Sequence, residues 1–165
     1  MGRACWPGPS LHFQSLRARR SLDWQLTSRD TAWAMSEENV EFAKRWIAAW
    51  NAGDMYTVWE SLDPDVILRP AKEWPEPGPF IGRDAVWGFY DRTREAFDAD
   101  TVETTGAFSH AADRVVIRWV WHGQGHGPEA NMELTTIFTV RNGKIREAEY
   151  FWDHAEALEA AGLSK

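Results

Sequence analysis

RWIAAWNAGD, residues 45–54, sets Trp46 and Trp50 four positions apart on a short apolar run that stops at a polar turn. Phe42 extends the same stripe, with Ala43, Ile47 and Ala49 beside it, so the spacing predicts an amphipathic helix. Ser36 is placed to cap that helix, Glu37 and Glu38 occupy its first turn, and Asn51-Ala52-Gly53 supplies the stop. Asp54 restarts a helix whose apolar face is Met55, Val58, Trp59 and Leu62, ended by Asp63-Pro64-Asp65. The two tryptophans are either plain core or the wall of a binding space. The expectation is divided: Trp46 as wall, Trp50 as core.

The rest of the chain is punctuated as clearly. Val66 to Arg69 reads as a short strand, and Pro70 to Pro79, with four prolines, as a stiff loop outside any sheet interior. A third helix starts at Gly82 and Asp84, with Val86, Phe89, Tyr90, Thr93 and Phe97 at spacings of three and four. After Asp100 the period becomes two. Residues 102–108, 114–122, 132–141 and 145–152 read as strands, and Arg141-Asn142-Gly143-Lys144 as a hairpin turn. In the second strand Val115, Ile117, Trp119 and Trp121 share one face; Arg118, His122 and Gln124 share the other. A short helix starts at Asp153, with Glu156 three residues on, and Gly162 marks its end. Three helices, a run of antiparallel strands and a closing helix make an α+β layout, in which a bent sheet wraps the helices to bury its Trp-rich face.

Composition bounds the partners. A chain of 165 residues, 44% hydrophobic and 26% charged, suits one globular domain, and eleven tryptophans point to heavy use of large rigid apolar surfaces. A net charge of −7 argues against nucleic acid or an anionic membrane, both of which need a basic face. No run is long and apolar enough to span a membrane. The single cysteine, Cys5, excludes an internal disulfide and fits a reducing compartment, hence a cytoplasmic location. Residues 1–34 differ from the rest, with five arginines against two aspartates and no sustained period. They read as a disordered or mis-assigned leader, translation starting at Met35, and residues 35–165 as the folded domain. An Arg-rich, acid-poor leader also keeps a transit peptide open.

The segments from Ala43 to Asp54, Leu62-Asp-Pro-Asp-Val66, Gly82-Arg-Asp-Ala-Val with Phe89-Tyr90, Arg141-Asn-Gly-Lys-Ile145, and Tyr150 to Leu158 together resemble the SnoaL-like branch of the nuclear transport factor 2 (NTF2-like) superfamily. The resemblance runs in order from about Ser36 to Leu163. It implies a conical α+β fold: three N-terminal helices packed in a strongly curved antiparallel sheet with a short C-terminal helix. It also implies an apolar cavity and a homodimer through the outer sheet face. No single reaction is implied, since members include polyketide cyclases, ketosteroid-isomerase-like enzymes and proteins without known chemistry. Where isomerases of this fold carry a donor tyrosine, a general-base aspartate and a further acid, this sequence has Trp46, Arg69 and Thr136. Proton abstraction beside a carbonyl needs both base and donor, so the usual isomerase and cyclase chemistry is not expected.

The candidate site follows from what remains. Arg69 either clamps an anionic ligand group or pairs with Glu73 or another acid. Glu73 and Glu76 lie in the proline loop, over the expected cavity mouth, as bases or as solvated carboxylates. Trp74 is a lid or a packed loop residue, and Tyr90 places its hydroxyl in the cavity or packs with it wet. Trp46, Trp119, Trp121 and Trp152, with Thr136, complete the expected ligand-binding set; Glu73 and Tyr90 are the candidate catalytic residues. His122-Gly-Gln-Gly-His126 invites a metal reading. At roughly 3.3 Å per residue on an extended strand the two imidazoles attach about 13 Å apart, too far for one ion, so no metal and no cofactor are expected. The expectation is a protein binding a small, mostly apolar molecule, the alternative an enzyme on such a molecule using Glu73 or Tyr90. Arg118, His122, Glu133, Thr135, Ile137 and Phe151 are the expected dimer face.

Overall fold

The computed structural model describes residues 13–125 and 127–164. Cys5 and His126, on which the disulfide and metal readings partly rest, lie outside them. The chain divides into two compact units, Met1–Ala34 and Met35–Lys165. The described part of the first unit is helical, and that helix, α1 (Phe13–Ala52), continues into the second. The start expected at Ser36 is therefore corrected. No proline or glycine interrupts the chain from Phe13 to Ala52, and Ser36, buried in mid-helix, donates from Oγ to the Ala112 carbonyl at 3.4 Å instead of capping.

Gly53, at φ 70°, ends α1, and Asp54 caps α2 (Met55–Glu60) by accepting from the Thr57 amide at 3.1 Å. Strand β1 (Leu62–Arg69) follows at once. It starts earlier than expected, because Pro64 falls where the register breaks between Leu62 and Ile67 and no ladder bond is asked of it. The proline loop leads to a two-residue strand, β2 (Phe80–Ile81), to which no element was assigned from the sequence, and then to α3 (Arg83–Glu95). Strands β3 (Ala99–Thr104), β4 (Ser109–Ala111), β5 (Arg114–Gln124), β6 (Ala130–Arg141) and β7 (Lys144–Phe151) build the sheet, and α4 (His154–Ala160) closes the chain. Asn142 and Gly143, both at positive φ, make the tight β6–β7 hairpin.

The sheet order is β2-β1-β7-β6-β5-β3, with β4 added beside β5. All pairings are antiparallel except β1 with β7, which is parallel and departs from the expected antiparallel sheet. α1, α2 and α3 pack on one face. There Ala43, Trp50, Val58, Val86 and Phe89 meet Val115, Ile117, Leu134 and Phe138 in one buried cluster. On the other face α4, capped by Asp153 accepting from the Glu156 amide, buries Val116 and Ile137 beneath Ala157 and Ala161. That changes the expected dimer face. Thr135 and Ile137 are already buried within the chain, and Arg118 donates from Nε to Glu133 at 2.7 Å beside them. Among the described residues no helix is long and apolar enough to cross a membrane.

Candidate functional site

Four-residue spacing on α1 aims Trp46 and Trp50 at the sheet, and the same logic on α3 aims Phe89, Tyr90 and Thr93 at the space between. Alternation along β5 adds Trp119 and Trp121; Val102 and Met132 come from β3 and β6, Tyr150 from β7, and Trp74 from the proline loop. The rings touch one another throughout. Trp46 stacks on Trp50 with centroids 5.4 Å apart and meets Tyr90 edge-on at 6.2 Å, while Trp74 lies 6.0 Å from Tyr150. Trp46 lines the space as expected, and Trp50, expected as core, belongs to the buried core and lines the space as well.

This space is small. Room for a water-sized occupant amounts to about 30 Å³, against roughly 300–1,000 Å³ for sites that enclose drug-sized ligands. A ring-sized guest therefore has to push a wall aside.

Polar atoms in the wall are nearly all taken. Trp50 and Trp121 donate from their indoles to the same oxygen of Asp100, at 2.7 and 3.1 Å. Trp119 donates to Thr136 Oγ1 at 2.8 Å, and Thr93 Oγ1 donates to the Phe89 carbonyl at 3.0 Å. Two fully buried donors stand apart from these. Trp46 Nε1 has no protein partner, and the Tyr90 hydroxyl has only a weak, poorly aligned approach to the Tyr150 hydroxyl, in residues only 8% and 2% exposed. Burial holds the Tyr90 phenol well above the ordinary value of 10, with the neighbouring Tyr150 adding to the effect, and burial pushes Tyr150 up to about 12. Both phenols are neutral near pH 7. They can donate a proton to a hydrogen bond but do not act as bases.

The structure brings Trp46, Trp74, Tyr90, Trp119 and Trp121 together and leaves five candidate site residues outside. Arg69 follows the inward Leu68 on β1 and so points to the opposite side, where its Nε donates to Glu147 at 2.6 Å; the ion-pair reading holds, with Glu147 as partner. Glu73, at φ 62° in the exposed loop, lines a separate outer cleft with Arg69 and is not placed to act as a base in the cavity. Glu76 pairs with Arg92 on α3. Trp152 lies outside, 47% exposed, stacked on the back of Trp74 with its indole donating to the Lys72 carbonyl. Thr136 is buried behind the Trp119 ring, its hydroxyl already engaged. Asp100, Tyr150, Met132 and Val102 were missed. Asp100 stood in the sequence only as the point where the period changes, and nothing local marks an acid whose partners are 50 and 21 residues away. Among the described residues no three of His, Cys, Asp and Glu gather as a metal site would need.

Comparison with known proteins places the fold. Bal32a from a soil-derived mobile gene cassette superposes with a TM-score of 0.64 at 21% identity, over 70% of this chain and 89% of that one. A putative SnoaL-like polyketide cyclase from Jannaschia sp. CCS1 gives 0.61 at 21% identity, over 79% and 95%. TerC, co-crystallised with polyporic acid, gives 0.60 at 19% identity, over 74% and 96%. At these identities the likeness is one of fold. No curated protein sequence matches the chain. The model of the SnoaL-like domain matches residues 43–148, from the α1 wall through β7 and more than half of the chain, so the protein belongs to the SnoaL-like domain family within the NTF2-like fold.

Proposed function

We propose that the protein binds a small, mostly apolar, planar molecule carrying an acceptor oxygen, held between the aromatic walls with that oxygen at Trp46 Nε1 and the Tyr90 hydroxyl. The observation that carries this reading is Trp46 Nε1, a buried donor without a protein partner, beside a Tyr90 hydroxyl that only Tyr150 approaches, on an otherwise aromatic surface. An unsatisfied buried donor costs on the order of 1–3 kcal/mol, and a ligand oxygen removes that cost. Among the described residues no wall residue is a carboxylate or imidazole. Two donors without a base hold a carbonyl but do not abstract the neighbouring proton, so binding is favoured over the enzymatic alternative, in which Glu73 lacks the position and Tyr90 the basicity. Relatives of the same fold, one a putative polyketide cyclase and one crystallised with polyporic acid, are in keeping with a small-molecule ligand.

Calorimetric titration with 1,4-naphthoquinone tests the reading. Saturable one-to-one binding is expected in the wild type and its loss in Val102→Phe, which fills the cavity from β3. Equal binding by both proteins would place the ligand elsewhere.

A further inference from the structure

Asp100 sits on β3 with its side chain only 3% exposed. Its Oδ2 accepts from Trp50 on α1 and from Trp121 on β5. Its Oδ1 lies 3.3 Å from Arg94 Nε at the end of α3, and that guanidinium also covers the Trp50 ring at 5.0 Å. One carboxylate thus ties together three other elements. A buried charge is costly unless paired, and well-packed apolar groups often close such a space at no loss of stability. What the carboxylate does that an apolar side chain does not is fix the direction of two indole N–H groups.

We infer that Asp100 is a positioning residue that selects the cavity's ligand, by turning the N–H groups of Trp50 and Trp121 away from it. This rests on the ligand-binding reading above. Of the four indoles that α1 and β5 contribute, Trp50 and Trp121 are held by Asp100 and Trp119 by Thr136, so only Trp46 keeps a free donor. The other three present ring carbon. The cavity accepts an apolar ring system whose acceptor oxygen lies on the Trp46–Tyr90 side, and it penalises molecules with oxygens spread around the rim. Asp100 touches no ligand itself.

The test compares 1,4-naphthoquinone, with acceptor oxygens on opposite edges, and naphthalene, with none, by calorimetry on the wild type, Asp100→Leu and Asp100→Asn. Freed indole donors can turn to the second quinone oxygen. The quinone-to-naphthalene affinity ratio is therefore expected to rise about threefold or more in Asp100→Leu, the net effect of one hydrogen bond. Asp100→Asn, keeping one acceptor, should fall between. A purely structural role would lower both affinities together and leave the ratio unchanged, which would overturn the inference, as would failure of both variants to fold. A wild type that binds neither probe instead sinks the reading of the site. In that case Asp100 is still tested by indole N–H exchange in the free protein, where Trp50 and Trp121 should be slow in the wild type and fast in Asp100→Leu, which removes the acceptor; unchanged exchange would overturn the inference.

Discussion

Trp152 lies flat against Trp74, with ring centroids 5.3 Å apart and planes 14° from parallel. Trp74 faces the cavity on its other side, whereas Trp152 is outside and half-exposed. Since the space, at about 30 Å³, is far smaller than a ring ligand needs, such a ligand enters by displacing a wall, and a wall carried on a loop moves more readily than one on α1 or β5. Trp152 is therefore the brace of the lid. Trp152→Ala is expected to cost roughly 1 kcal/mol of stability, the worth of an exposed aromatic pair, while raising the association rate of 1,4-naphthoquinone in stopped-flow measurements. An unchanged rate would mean that entry does not pass Trp74.

Gly123 guards the opposite wall. A Cβ there would fall 2.5 Å from Trp121 Cη2 and 2.7 Å from Phe97 Cδ1, two rings packed edge-to-face at 4.6 Å. Gly123→Ala is expected to destabilise the protein by about 1–3 kcal/mol through overpacking and to weaken ligand binding as Trp121 shifts. Urea unfolding checks the first effect and calorimetry the second.

Among the described residues, both buried clusters, with the apolar side chains packed on them, lie between Val40 and Leu163. Removing residues 1–34 should leave them whole. The chain from Met35 onward is expected to melt within a few degrees of the full-length protein by circular dichroism; a loss of ten degrees or more would show that the first unit stabilises the second.

The two buried phenols give a pH dependence with a definite sign. Burial raises both above the ordinary value of 10, so folding favours their neutral forms. That stabilisation is complete below pH 10 and is lost as pH climbs through about 12, the value to which Tyr150 is pushed. Stability to urea should fall across this window, and Tyr150→Phe should flatten the fall. A curve identical for the two proteins would contradict the burial of Tyr150.

Patterns that depend on neighbours in sequence were legible. The four-residue stripe of α1 and the alternation of β5 named Trp46, Trp119 and Trp121 as residues on inward faces, and Asn142-Gly143 named the hairpin. What was not legible depends on register between distant strands. Arg69 read as either a ligand clamp or an ion-pair residue because its strand was known but its phase was not, and a shift of one position turns a side chain to the other face. Trp152, at the end of β7, was misplaced for the same reason, although it proved to back the lid. The start of α1 was misread because Ser36 followed by two glutamates imitates a cap, while its hydroxyl serves a contact 76 residues away.

The central claim is that a ligand oxygen is held by Trp46 Nε1 and the Tyr90 hydroxyl. The most direct measurement follows the indole N–H resonances by two-dimensional proton–nitrogen NMR during titration with 1,4-naphthoquinone. The Trp46 resonance should move downfield and saturate, with Trp46→Phe weakening binding, while those of Trp50, Trp119 and Trp121, already bonded to Asp100 and Thr136, move far less. Saturable binding that leaves Trp46 unmoved and shifts only the exposed Trp33 and Trp152 would contradict the account.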